Sequence, residues 1–234
     1  MVANRKLAVM SRSVVITKPV LLKKKTVRDL GSKISRESLV KLVEQLYDID
    51  ERDHRLELIK SGKVLDEKMS AFADAIHEME SQHKSIVRHM MQKLDVGNGP
   101  KGPHDYSKDE LYELVMGMNF DCGQSWDDIP SFKELFTEET ERHYTLEPHH
   151  PEYEALTGNE CKERDIKEMA IDRLCRNLQF GDTGTVDVEC VMDKYTPKFT
   201  LDGERKVAMF KEFVMAYHHI VEKGFVDCFD FTTA

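Results

Sequence analysis

Apolar residues recur along most of this chain at three- and four-residue spacing, the repeat that lines one face of an α-helix. Leu39, Leu42, Val43 and Leu46 form one such stripe. Leu111, Leu114, Val115 and Met118 form another, behind Ser107-Lys-Asp-Glu110, which reads as a capping box. Val207, Phe210, Val214, Tyr217 and Val221 mark a third, closed by Gly224. The longest runs from about Val64 to Leu94: Leu65, Met69, Phe72, Ile76 and Met79 are followed by Ile86 and Met90, and His83 continues the stripe between them. Punctuation at DVGNGPKGP (95–103) and GDTGT (181–185) separates these segments without a linker long enough to divide domains. No internal repeat is visible, and at most one segment reads as a strand. The pattern predicts an all-α helical bundle over 35–224, preceded by a basic tail, 1–34, and followed by a short C-terminal tail, 225–234.

Charge changes the picture at one end only. The net charge of −9 argues against a surface that coats nucleic acid. Residues 1–28 nevertheless hold eight basic residues and no acid, including Lys23-Lys24-Lys25. A solvated tail with a short β-like stretch, Val14-Val15-Ile16, is the simplest reading, with a nucleic-acid arm or an acid-poor targeting segment as alternatives. No apolar run approaches a membrane span, so a soluble protein with no membrane partner is expected. Cys122, Cys161, Cys175, Cys190 and Cys228 are odd in number and contain no C-x-x-C pair, which fits a reducing, intracellular and most simply cytoplasmic setting.

The candidate chemistry lies in the histidines. A histidine on the apolar stripe at 83 points inward and requires a hydrogen bond or a metal. For one isolated histidine a backbone carbonyl is the ordinary solution. His77 and His89 lie off that stripe and read as rim or surface residues, while His218 and His219 read as ordinary helix positions. His104-Asp105 stands just before the segment at Ser107, and HYTLEPHHPEYE (143–154) adds His143, His149 and His150, with Pro148 and Pro151 stiffening the approach. Imidazole and carboxylate without thiolate favour a divalent ion such as Fe, Mn, Zn or Mg over an iron–sulfur cluster.

The order His83, His104-Asp105, further histidines and a later aspartate resembles the HD superfamily of α-helical metal-dependent phosphohydrolases, with signature H…HD…D. More narrowly, HDYSK (104–108), HYTLEPHHPEYE (143–154) and DIKEMAID (165–172) resemble an HD-like family of bacterial, phage and viral proteins. That family carries HD-x-SK, HHY-x-x-N-x-HHPE and D-x-x-EM-x-x-D, then a segment to which 191–213 is similar. The resemblance covers roughly residues 77–215. It departs at Arg142, where the family has histidine, at Glu147, where it has asparagine, and in the Gly/Pro-rich approach to His104.

This resemblance implies an HD-domain-like bundle and a ligand set of His83, His104, Asp105 and Asp172, with His143, His149 and His150 available to a second ion. One or two divalent metal ions per chain are implied. On a helical wheel, Asp172 shares a face with Asp165, Glu168 and Arg176, so periodicity alone places it in solvent. The implied activity is hydrolysis of a nucleotide or other small phosphorylated substrate by a metal-activated water, with Asp105 and Lys108 catalytic. Lys108 is the leading cation for the phosphate, with a solvated surface position as its alternative. Ser107 would donate to phosphate at a helix N-terminus unless it is a plain cap. Arg142 and Arg173 would reach the phosphate, and Glu147 and Glu152 would orient histidines. The alternatives are a di-iron oxygenase of the same ligand pattern and a non-catalytic metal-binding protein.

Overall fold

The helical part of the chain starts earlier than its stripes suggest. In the computed structural model, which describes residues 24–99, 102–121, 126–179 and 194–228, Lys24–Gly31 forms α1. Its Val27 and the following Ile34 are buried in the same core as the stripe at 39–46. Two apolar residues in a basic stretch, Val27 and Leu30, are too few to set a readable period. Residues 24–34 of the expected tail therefore belong to the fold. Residues 1–23, with Val14-Val15-Ile16, lie outside the described residues.

The remaining helices are α2 (Arg36–Tyr47), α3 (Arg52–Lys60), α4 (Glu67–Lys93), α5 (Glu110–Asp121), α6 (Pro130–Leu146), α7 (Glu152–Thr157), α8 (Glu163–Gln179) and α9 (Gly203–Cys228). The described residues are all-α: they contain no strand, only an isolated bridge between Gly99 and Gly102. α9 continues through Gly224 to Cys228, so the expected end at 224 falls inside it. Asp66 caps α4 by accepting from the amides of Lys68 and Met69.

One long helix joins two apolar clusters. Met69, Phe72, Ile76 and Met79 of α4 pack with residues of α1, α2, α5 and α6, whereas Ile86, Val87, Met90 and Met91 pack with residues of α8 and α9. The turn carrying His83 falls between the two sets. A polar cluster can therefore sit beside α4 there without interrupting either core.

Close packing of α4 on α5 depends on Gly117. A Cβ at that position would lie 1.9 Å from Ile76 Cδ1 and 2.7 Å from Ile76 Cγ1. Gly117→Ala is expected to destabilise the fold by about 1–3 kcal/mol through overpacking. Denaturant unfolding measures this, and Ile76→Val, which removes the nearest atom, should recover part of the loss. A Gly117→Ala protein as stable as the wild type would show that the two helices separate freely.

The histidine-bearing connection between α6 and α7 is anchored by a buried carboxylate. Glu154 accepts from the amides of Cys161 at 2.8 Å, Thr200 at 3.0 Å and Leu201 at 3.1 Å, and it pairs with Lys206 of α9. Several donors compensate for its burial.

Candidate metal centre

Five segments deliver side chains to one point. α4 supplies His83, the loop before α5 supplies His104 and Asp105, the last turn of α6 supplies His143, the α6–α7 connection supplies His149 and His150, and α8 supplies Asp172. Asp105 has φ of 54°, a left-handed conformation that aspartate tolerates better than most residues and that lets adjacent side chains converge. Glu147 leaves the helical conformation, with φ −112° and ψ 98°, and turns the chain inward after α6. His83, His104, Asp105, His143 and His149 are at most 1 % exposed.

Asp105 is the hub. His83 Nε2 lies 2.6 Å from Asp172 Oδ1. His104 Nε2 lies 3.2 Å from Asp105 Oδ2 and 3.7 Å from Asp172 Oδ1. On the other side of the same carboxylate, Asp105 Oδ1 is 3.4 Å from His149 Nε2 and 3.6 Å from His143 Nε2, which is itself 2.9 Å from His150 Nε2. All seven residues expected as ligands from the sequence are thus brought together.

Neighbouring groups fix the rings. His104 Nδ1 is 2.9 Å from Glu168 Oε1, and Glu168 is held by Arg164. His143 Nδ1 is 2.7 Å from Ser107 Oγ. With the proton on Nδ1 in each ring, both Nε2 lone pairs face Asp105. The Ser107 amide donates to Glu147 Oε1 at 3.0 Å, and Glu147 Oε2 lies 3.7 Å from His149 Nδ1.

Several expected roles are corrected by this geometry. Ser107 does not cap α5, which begins at Glu110 and is capped by Asp109, whose Oδ1 accepts from the Tyr112 amide; the Ser107 hydroxyl lies 2.7 Å from His143 Nδ1. Arg142 is drawn away from the cluster, donating to Glu139 and to the Ser107 carbonyl and pairing with Asp109. Glu152 pairs with Lys198 rather than with a histidine. The α8 face that the helical wheel assigns to solvent lines the cluster, with Asp165 and Glu168 buried and the Asp172 side chain 24 % exposed. Arg173 is half-buried beside Asp172. Lys108 is not a solvated surface residue; its Nζ lies 2.5 Å from Asp105 Oδ2 and 3.4 Å from Glu80 Oε2. His77 and His89 are exposed, as their place off the stripe implies.

Sequence reasoning gave no role to Glu80 or Arg176. Arg176 holds Glu80 with two hydrogen bonds, at 2.9 and 2.8 Å, and so joins α8 to α4 beside Lys108. Arg176 shares the charged wheel face with Asp172, which was the available signal. Nothing in the local pattern around Glu80 distinguishes it from other polar residues of α4.

The donor set fits a cation. His83 Nδ1, His104 Nε2, Asp105 Oδ1 and both ring nitrogens of His149 are buried without a hydrogen-bond partner. Leaving such atoms unmade costs roughly 1–3 kcal/mol each. Groups of three or more of these residues offer ligand atoms within 4.8 Å of one another. A divalent ion would satisfy several of the inward-facing lone pairs together.

Burial works against protonation of His104 and His149, yet the carboxylates of Asp105 and Glu168 raise both above the ordinary imidazole value, so a bound ion would displace a proton there. Burial opposes ionisation of Asp105 and Asp172, but His104 next to both, Lys108 next to Asp105 and His83 next to Asp172 hold each carboxyl well below the usual range. Burial also works against the Lys108 ammonium, yet Asp105 and Glu80 raise its pKa. His83 is pushed down to about 4, first by burial and then by Arg176, against the opposing hydrogen bond to Asp172. Its folded value lies below the ordinary 6.5, so the neutral ring contributes stability that is present above pH 6.5 and is lost as pH falls through 4. Metal-free protein should therefore melt at lower temperature as pH is lowered across that window, and His83→Gln should flatten the slope. An unchanged slope in the variant would assign the acid sensitivity to other groups.

Residues 71–212, more than half of the chain, match the model of a family described as a family of unknown function (DUF5662). The matched span contains every residue of the cluster. No curated protein and no solved structure matches the chain.

Proposed function

This chain belongs to the DUF5662 family, and we propose that the cluster within its matched segment is the site of an HD-type, metal-dependent phosphohydrolase acting on a nucleotide or other small phosphoester. The observation that carries this reading is the convergence of His83, His104, Asp105 and Asp172, in the H…HD…D order, with buried ring nitrogens left unpartnered. A divalent ion held there would supply an acidified water and neutralise charge on phosphoryl oxygens. His83, His104, Asp105 and Asp172 would hold one ion, and Asp105 with His143, His149 and His150 would supply a second position.

The protein's own groups do the rest. Glu168 and Ser107 keep the Nδ1 protons of His104 and His143 turned away, leaving each Nε2 as a donor atom. Lys108 and Arg176 place two cations on Glu80 beside the cluster, and the side chains of Lys108, Arg176 and Asp172 retain 10 %, 18 % and 24 % exposure. A substrate would approach on this side, where Lys108 and Arg176, paired with Glu80, are the cations nearest the cluster. Burial of the remaining residues excludes bulk water and strengthens these interactions.

A second reading, oxygen activation at an iron pair, is favoured by the number of imidazoles in the cluster: His83, His104, His143, His149 and His150. Metal analysis followed by a panel of phosphomonoesters, phosphodiesters and nucleotides separates the readings. Phosphate release supported by Mn(II) or Mg(II) is the expected result. Oxygen consumption by the ferrous protein without phosphate release would favour the second reading. Tight metal binding with neither activity would leave a non-catalytic metal protein.

A further inference from the structure

Two groups of potential ligands in the cluster are wholly buried: His83 with His104 and Asp105, and Asp105 with His143 and Glu147. They share Asp105 alone. The second group contains a residue whose expected role was only to orient a histidine. We infer that Glu147 is itself a metal-facing carboxylate, closing a second ion position together with His143 and Asp105. This rests on the reading of the cluster as a metal centre and adds a ligand to it.

The first argument is the environment of Glu147. It is 3 % exposed, and no lysine or arginine pairs with it among the described residues. Ser107 donates its amide to Oε1, while Oε2 lies 3.7 Å from His149 Nδ1, beyond hydrogen-bond reach. Glu154, buried in the same stretch of chain, shows what full compensation looks like: three backbone amides and the Lys206 ammonium. Glu147 lacks the equivalent of that cation. A buried carboxylate this poorly compensated is costly unless a positive charge completes it.

The second argument is pre-organisation. Ser107 touches both members of the new pair, through its amide to Glu147 and through its hydroxyl to His143 Nδ1. One residue thereby turns a carboxylate and an imidazole Nε2 toward Asp105 Oδ1, an oxygen buried without a hydrogen-bond partner. Glu147 would give that position a second carboxylate beside Asp105. Carboxylate oxygens suit oxygen-seeking divalent ions such as Mn(II), Fe(II) or Mg(II), so Mn(II) is a fitting probe.

The full chain, stripped of metal and titrated with Mn(II) alone, tests this. Wild-type protein should bind about two equivalents, with the electron paramagnetic resonance of a spin-coupled pair. Glu147→Gln preserves the acceptor for the Ser107 amide and removes only the charge. It should weaken the second equivalent by more than about 100-fold, beyond what loss of an orienting residue produces, and show the hyperfine-split spectrum of an isolated ion. His83→Ala should instead lose the other equivalent and keep the one held by Glu147. A coupled pair in Glu147→Gln, or a second affinity weakened by less than that margin, would overturn the inference, because Glu147 would then act through His149. Wild-type protein that binds a single equivalent would also overturn it while leaving the metal centre intact. Protein that binds none would overturn the metal centre itself. Circular dichroism and the melting temperature of the metal-free variants distinguish a lost ligand from a lost fold.

Discussion

Stripping metal from the wild-type protein is expected to lower its melting temperature by about 10 °C, and the same treatment should shift His83→Ala by clearly less, because that variant has already lost the ion that His83 holds. Metal that binds the native state and not the unfolded chain stabilises by mass action, by about 3–4 kcal/mol when free metal exceeds Kd by 100- to 1,000-fold. For a chain of this size each kcal/mol moves the midpoint by roughly 2–4 °C. His83 is fully buried and contributes through Nε2, which lies 2.6 Å from Asp172 Oδ1, so its removal takes one nitrogen donor from the ligand shell. Thermal scans with and without chelator, on both proteins, give the answer. Equal chelator sensitivity would remove His83 from the ligand set.

Asp105→Asn should have the larger effect on activity, a loss of more than about a hundredfold, accompanied by loss of bound metal from the whole cluster. Asp105 is the one residue whose two oxygens face both halves: Oδ2 toward His104 and Lys108, Oδ1 toward His143 and His149. Removal of a ligating carboxylate exceeds the 10- to 100-fold typical of residues that merely orient ligands. Asparagine is the informative replacement because it adopts the left-handed conformation required by the φ of 54°. Asp105→Ala combines loss of the ligand with backbone strain, costing roughly 1–2 kcal/mol more. Metal content and turnover measured on Asp105→Asn, with the alanine variant compared by melting, separate ligation from conformation. A fully metallated Asp105→Asn protein would show that the cluster assembles without this carboxylate charge.

Much of the site was legible because its residues sit on readable patterns. His83 announces itself as a polar interruption of a long apolar stripe, and burial confirms the inward direction. The His104-Asp105 and His149-His150 pairs are recognisable because imidazoles and carboxylates cluster there within short motifs. Asp172 is different. Its helix face is polar over a full repeat, and periodicity cannot distinguish a face turned to water from one turned to a buried cluster of imidazoles. The same ambiguity hid Glu80 and Arg176, whose contacts join residues far apart in the chain. Ser107 misled for a related reason: Ser107 and Asp109 both have side chains suited to a cap, and only the course of the loop decides that Asp109 takes that role.

By itself, the sequence determined the helical class and the inward direction of His83, because these follow from a period of a few residues, whereas the candidate ligand set came from the resemblance of its motifs. Tertiary structure alone decided that Lys24–Gly31 joins the core, that the Ser107 hydroxyl meets His143, and that the charged face of α8 points at the histidines. Those outcomes depend on which groups from distant segments meet once water is excluded. A local pattern records the polarity of a face but not its partner.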